Sequence, residues 1–268
     1  MFSIADEPKK QLQLLFFMLS AGLLLYRFNC GLLFSGMYAC PLFNPGADWA
    51  YWLVHFTGIP SLVQHNAWVG YTLDLSWLII TISCAFNIGG RWLPRLFFLF
   101  AVLYFLVFNS FNINHSHKLI VLFIGVIPFM SNSNYERFFN WTRVYLAFIY
   151  VSSGIWKLAR LNYFDPKHLS QLIAHQTAQF PNNLSDYLVN HSGVSFWLGV
   201  LATLCQLAVV VIVFTKKHDV WVLVFLVIFH LGTYFLIHVW FFDMLLFGLF
   251  LIPCFQPKSN ELVPVEPR

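Results

Sequence analysis

One lysine lies deep in an apolar stretch of this chain. From Thr142 to Pro166 the sequence reads TRVYLAFIYVSSGIWKLARLNYFDP, and between Val144 and Leu158 only Tyr145, Tyr150, Ser152, Ser153 and Lys157 interrupt apolar or small residues. The stretch is expected to form a membrane-crossing helix, begun at Thr142 and Arg143 and ended by the Asp165-Pro166 turn. Gly154, Ser153 and Tyr150 precede Lys157 by three, four and seven residues, so one helical face places small and polar groups around the amine. A lysine near a helix end ordinarily snorkels to the membrane interface, and that alternative stands beside an inward-facing one. An amine withdrawn from water is a usable base or nucleophile, because burial disfavours its charged form. Histidines beside it exchange protons near neutral pH. Two are suitably placed: His115 in the polar connection FNINHSHK (111–118), and His230 within an apolar run. Deprotonation of a lipid-soluble molecule suits such a set.

The elements that must hold these residues follow from composition. The 268 residues are 59% hydrophobic and 19% aromatic with only 10% charged, and the mean hydropathy is +0.69. That balance excludes an ordinary soluble domain and points to an all-α, polytopic transmembrane helical bundle in contact with the lipid bilayer. The net charge of +4 resides in connections, where it orients a membrane protein; no nucleic-acid partner is expected. The five cysteines (30, 40, 84, 205 and 254) lack any disulfide or metal spacing, so no metal site is expected. Neither a Gly-rich phosphate loop nor a GxSxG nucleophile turn occurs.

Taken in order, residues 1–10 form a polar N-terminus and residues 11–256 the membrane domain; 257–268 form a polar tail. The first apolar segment lacks a small-residue cleavage site and is expected to be a retained helix. About eight helices are expected: Leu12–Met37, Ala67–Ile88 with Asp74, Leu96–Ser110, a short Leu119–Met130, the Lys157 helix, Val194–Phe214 with Gln206, Val220–Ile237 with His230, and Phe241–Phe255 with Asp243. Between Tyr38 and Asn66 there is no Lys or Arg, which suits an outer loop with an interfacial segment around Trp49–Trp52. In the longest loop, 160–193, Leu169, Leu172 and Ile173 recur at helical spacing from Pro166 to Gln179, the mark of an amphipathic surface helix. The basic connections 9–10, 89–95, 131–143 and 216–217 fall on one side, which places both termini in the cytoplasm. Lys157, His115, His230, His238, Asp74 and Asp243 then gather toward the outer face. Intramembrane ionisable groups default to a functional hypothesis, although Asp74 could pair structurally with Arg27, and His238 could anchor at the interface.

Several short motifs share an order with a known family. Tyr150-x-x-x-Gly154-x-x-Lys157-Leu158, the Asn114-His115-Ser116 connection, the helix around Phe229-His230, the GGR turn at 89–91 and Arg27-x-x-x-Gly31 resemble the HTTM membrane domain of vitamin K-dependent γ-glutamyl carboxylase and its bacterial relatives, over about residues 10–255. The resemblance is to a small bacterial-type member without the large extramembrane region. It implies a lyase-type carboxylase with coupled quinol oxygenation. Reduced vitamin K or another quinol would be the cofactor, and oxygen and carbon dioxide co-substrates. Lys157 matches the lysine base and His115 the histidine that supports it; His230, Tyr150 and Asn114 fall to cofactor binding. A secreted peptide or protein would supply the glutamate, at the outer face of a bacterial inner membrane. Trp156 stands where the carboxylase has a second lysine, and Gln206 where relatives carry an acid. The alternative is a non-catalytic membrane partner in maturation or export of a secreted peptide, with the polar cluster holding helices together. A transporter ranks last, because no two halves show matching broken helices.

Overall fold

The computed structural model of the chain describes residues 7–29, 31–39, 42, 54, 56–111, 124–131, 134–160, 165, 167–177, 182–237 and 246–257. Among the described residues the chain is built from helices and turns, with one isolated β-bridge between Leu42 and Phe111. Helix α1 spans Glu7–Asn29 and carries Pro8 in its first turn, where a missing N–H is no loss. A longer helix, to Met37, is the sequence expectation. The structure ends it at Asn29 because Gly31 adopts a left-handed φ of 68° and the Leu32 N–H closes back onto the Arg27 carbonyl at 2.8 Å. Phe34–Ala39 then forms a 3-10 turn.

Helix α2 (Ile59–His65) lies in the stretch expected to be an outer loop, and α3 (Ala67–Ala85) follows at once. Asn66 makes that junction, since its side-chain oxygen accepts from the Trp68 N–H at 3.0 Å. The end of α3 falls before the expected Ile88: Asn87 is left-handed at φ 55°, and the Ile88 N–H donates to the Ser83 carbonyl at 2.9 Å. Gly89 and Gly90, also at positive φ, turn the chain into α4 (Trp92–Asn109). Helix α5 (Tyr135–Ala159) is followed by α6 (His168–Thr177), α7 (Asn183–Asn190), α8 (Ser192–Ala208), the short α9 (Val211–Phe214) and α10 (Asp219–Ile237). The long loop after Lys157 therefore holds a second helix that its sequence periodicity did not signal. Helix α6 packs on α7, α8 and α10, with Ile173 fully buried and Leu172 exposed.

Among the described residues, five segments are long and apolar enough to cross a membrane: 8–37, Ala67–Ala85, Trp92–Asn109, Ser192–Phe214 and Asp219–Leu236. Large apolar side chains on them, such as Leu75, Ile79, Leu99, Leu201, Leu204 and Ile228, point outward and are exposed, as lipid-facing residues are. The eight crossings expected from sequence are not all matched. Helix α5, at 25 residues, has a length of about 37 Å. It is not among the five, because Glu136, Arg137, Arg143 and Lys157 dilute its hydropathy. What marks it instead is one buried stripe of Phe139, Thr142, Arg143, Leu146, Ala147, Tyr150 and Gly154, the spacing of a helix enclosed on one side. Of the expected Leu119–Met130 helix, 119–123 lie outside the described residues and Ile127–Met130 is a 3-10 turn opened by Pro128. Of the expected Phe241–Phe255 helix, the described part from 246 becomes 3-10 turns at Leu249–Leu251 and Pro253–Phe255. Pro253 holds Ile252 in an extended conformation and stops a continuous helix.

The core is aromatic. Phe16, Phe17, Phe34, Phe97, Trp77 and Tyr104 are fully buried, and Phe17, Phe97, Trp77 and Tyr104 follow one another at ring-centroid distances of 5.3, 5.1 and 4.6 Å. The Trp77 Nε1–H donates to the Ser20 carbonyl at 3.0 Å and locks α3 to α1. The basic connections converge at one end of the bundle. The Lys9 ammonium donates to the Ser131 carbonyl at 3.1 Å and lies over the Tyr135 ring, Arg95 donates to Met130, and the Tyr135 hydroxyl donates to Phe255.

Close backbone approach decides one position. A Cβ on Gly70 would stand 2.5 Å from the carbonyl of Phe34 and 2.6 Å from the Ser35 nitrogen, backbone atoms that cannot swing aside. Gly70→Ala should therefore lower stability by about 1–3 kcal/mol in detergent melts. Gly22→Ala, where a Cβ meets nothing within 4 Å, should be neutral or raise stability by about 0.5–1 kcal/mol. Equal melting temperatures for the two variants would contradict this packing.

Candidate functional site

Helices α5, α8 and α10 bring together the polar residues of interest that fall within the described chain. Gly154 is what lets α5 and α8 approach: a Cβ there would sit 2.8 Å from the Leu207 side chain and 3.5 Å from the Thr203 carbonyl. Gln206, buried on the same turn of α8, thus lies level with Gly154, one turn before Lys157. The Lys157 ammonium reaches back to it and donates to the Gln206 side-chain oxygen at 2.9 Å. The lysine is turned into the bundle, away from the end of its own helix. Its Nζ also lies 5.7 Å from the centre of the Phe229 ring on α10.

Two turns earlier on α5, the Tyr150 hydroxyl shares a hydrogen bond with His230 Nε2, and both residues are buried. The His230 ring packs edge-on against Phe229 at 5.2 Å. Phe229 therefore lies between the lysine and the tyrosine–histidine pair as their common neighbour. This arrangement can hold a proton on an amine beside an aromatic wall, and it offers a second proton-carrying pair next to that wall. His115 and Asn114, as well as His238 and Asp243, lie outside the described residues.

Asp74 belongs to a different cluster. Its carboxylate accepts from the Tyr104 hydroxyl at 2.7 Å and from the Ser35 N–H at 3.3 Å, and the Arg27 guanidinium lies over the rings of Phe108 and Tyr104 at 4.1 and 5.1 Å. The gathering of ionisable groups expected at one face thus resolves into two clusters on different helices. One is Lys157, Gln206, Tyr150 and His230 on α5, α8 and α10; the other is Arg27, Asp74 and Tyr104 on α1, α3 and α4. In the second, the hydroxyl of Tyr104 and the Ser35 N–H hold the acid, and Arg27 lies over the same Tyr104 ring. Among the described residues, no three His, Cys, Asp or Glu side chains are placed to hold a metal ion.

A third polar cluster has no counterpart in the sequence expectations. Arg143 on α5 pairs with Asp219 at the start of α10 at 2.5 Å, both buried, and the Gln256 amide donates to the other Asp219 oxygen at 2.6 Å. Its sequence signal is an arginine just before the apolar stretch from Val144, together with an aspartate opening a run of apolar residues. Because Arg143 and Asp219 are out of water, removing one partner strands the other. Asp219→Leu should lower stability by about 3–5 kcal/mol, read as a large drop in melting temperature and folded yield, with Arg143→Met similar. A loss below about 1 kcal/mol for both would show that the pair is solvated.

No family model, no characterised protein and no solved structure matches this chain, so its site is known by geometry alone.

Proposed function

We propose that this chain is an integral membrane enzyme that carries out general-base chemistry on a quinol, in the manner of the carboxylase membrane domain it resembles. The observation that supports it most is the inward turn of Lys157 onto Gln206. A neutral amide accepts a hydrogen bond from the amine without fixing it as one half of an ion pair, so both protonation states of the amine keep a partner. On this proposal Lys157 Nζ takes the hydroxyl proton of a reduced naphthoquinone whose ring stacks beside Phe229, and Gln206 Oε1 holds the resulting ammonium. Tyr150 and His230 serve the quinol's second polar end; the resemblance gives Asn114 a part in cofactor binding and His115 the support of the base. In the carboxylase, oxygenation of the quinol anion generates the base that deprotonates a glutamate side chain before carbon dioxide adds; the same sequence is proposed here, on a secreted peptide or protein. The convergence of Lys9, Arg95, Met130, Ser131 and Tyr135 at one end of the bundle supports an orientation with both termini in the cytoplasm and the lysine toward the outer half, and the resemblance alone suggests a bacterial inner membrane.

A second proposal draws on the tight Gly154 contact. The Lys157–Gln206 bond joins α5 to α8 beside that contact, and could serve as an interhelical tie in a non-catalytic partner of peptide maturation. Thermal melts of the purified protein with reduced naphthoquinone separate the two. For the enzyme, a quinol at a hundredfold its Kd should stabilise the wild type by about 2.7 kcal/mol. Lys157→Met should lose that stabilisation while lowering the ligand-free stability by no more than about 1 kcal/mol. His115→Ala should also diminish the quinol effect. Absence of any quinol effect on the well-folded wild type, with a large stability loss in Lys157→Met, would favour the tie.

A further inference from the structure

The end of the bundle where the basic connections meet contains a cavity of about 300 Å³, lined by Asn140, Arg143, Val144, Val213, Phe214 and Lys216 among others. Two polar atoms of the residues that line it are buried and have no hydrogen-bond partner among the described residues: Arg143 Nε, a donor, and Asn140 Oδ1, an acceptor. Arg143 is 95% buried, with 5% of its surface accessible. One guanidinium nitrogen is spent on Asp219, and that bond leaves Nε unused. The formal charges around the cavity do not cancel: Arg143 and Lys216 carry two positive charges against the single negative charge of Asp219, whose two oxygens are already engaged by Arg143 and Gln256. Lys217 and His218 follow on the same exposed turn.

Apart from Thr215, the rest of the wall is apolar. Val144, Val213 and Phe214 are exposed, Phe214 at 81%, on a bundle whose neighbouring helices present apolar side chains outward. A small hydrophilic anion would have no use for that side. A molecule with a charged head and hydrocarbon tails would place the head against Arg143 and Lys216 and run the tails along Val213 and Phe214.

We propose that this cavity binds the head group of an anionic glycerophospholipid bearing hydroxyls, with the phosphodiester held by the Arg143 guanidinium and the Lys216 ammonium, and a head-group hydroxyl turned toward the Asn140 side chain. A phosphodiester carries one negative charge, which matches the one uncancelled positive charge of the wall. The site is separate from Lys157. Arg143 lies fourteen residues, or about 21 Å, nearer the start of α5, so the proposal holds whatever chemistry occurs at the lysine.

The test uses the full-length protein in detergent, with lipid binding read by native mass spectrometry and by thermal shift. Phosphatidylglycerol should bind and stabilise the wild type, and phosphatidylcholine, which has no donor in its head group, should bind at least tenfold more weakly. Lys216→Gln and Asn140→Leu, at an exposed and a half-buried position, should each weaken phosphatidylglycerol binding about tenfold without lowering the lipid-free melting temperature by more than a few degrees. These two variants keep the test independent of Arg143, whose loss is expected to unfold the bundle. Equal binding of the two lipids, or undiminished phosphatidylglycerol binding in both variants, would overturn the proposal. Inorganic phosphate stabilising the protein as much as the lipid does, with the same Lys216 dependence, would overturn the lipid assignment in favour of a free anion.

Discussion

A polar or charged side chain inside an apolar bundle has no water to satisfy it, so it must find its partner on another helix. That constraint organises this protein more than any single hydrophobic contact. Apolar surfaces facing lipid gain little by moving from lipid to protein, and helix association then depends on close packing and on the few polar pairs that fix register. Here each polar cluster joins elements far apart in sequence. Arg143–Asp219–Gln256 ties α5 to α10 and to the turn after Pro253; Lys157–Gln206 ties α5 to α8; Tyr150–His230 ties α5 to α10; Asp74 joins α3 to α4 and to the 34–39 turn.

Three of these four ties include α5. A segment that carries Glu136, Arg137, Arg143 and Lys157 is a poor match for lipid on all sides, and its buried stripe explains how it is accommodated. The neighbours α8 and α10 are strongly apolar and expose large side chains outward, while they turn Gln206, Asp219 and His230 toward α5. Small residues set the distances. Gly154 lets α8 come close enough for a lysine one turn on to reach back to Gln206, and Gly70 lets the 34–39 turn press its backbone N–H against Asp74.

The polar groups also divide by depth. Lys9, Arg95, Met130, Ser131 and Tyr135 meet at one end, with Arg143 on the helix that leads from it and Lys216 in the turn before α10. Lys157 lies farther along α5, with the tyrosine–histidine pair between. A protein with a basic, tail-accommodating cavity at one level and an inward-turned amine beside an aromatic wall at another has two chemically different regions. Their separation along a single helix means that one can be altered without touching the other.

Much of this was open to inspection in the sequence. Composition fixed the class, and hydropathy located α3, α4, α8 and α10 to within a few residues, because long apolar runs have few alternatives in a membrane. Lys157, Tyr150 and His230 stood out as polar residues in apolar stretches, and the structure brings Tyr150 and His230 into contact. Helix ends were less legible. Gly31 and Asn87 stop their helices through left-handed backbone geometry, and hydropathy does not sense conformation. Pairing was least legible of all. That Asp74 joins Tyr104 and not the lysine, that Asp219 faces Arg143, and that Lys157 bends back toward Gln206 depend on which helix faces lie together. Residue spacing defines a face but not its neighbour; only the packing of α5 against α8 and α10, permitted by a missing Cβ at Gly154, decided which polar groups would meet.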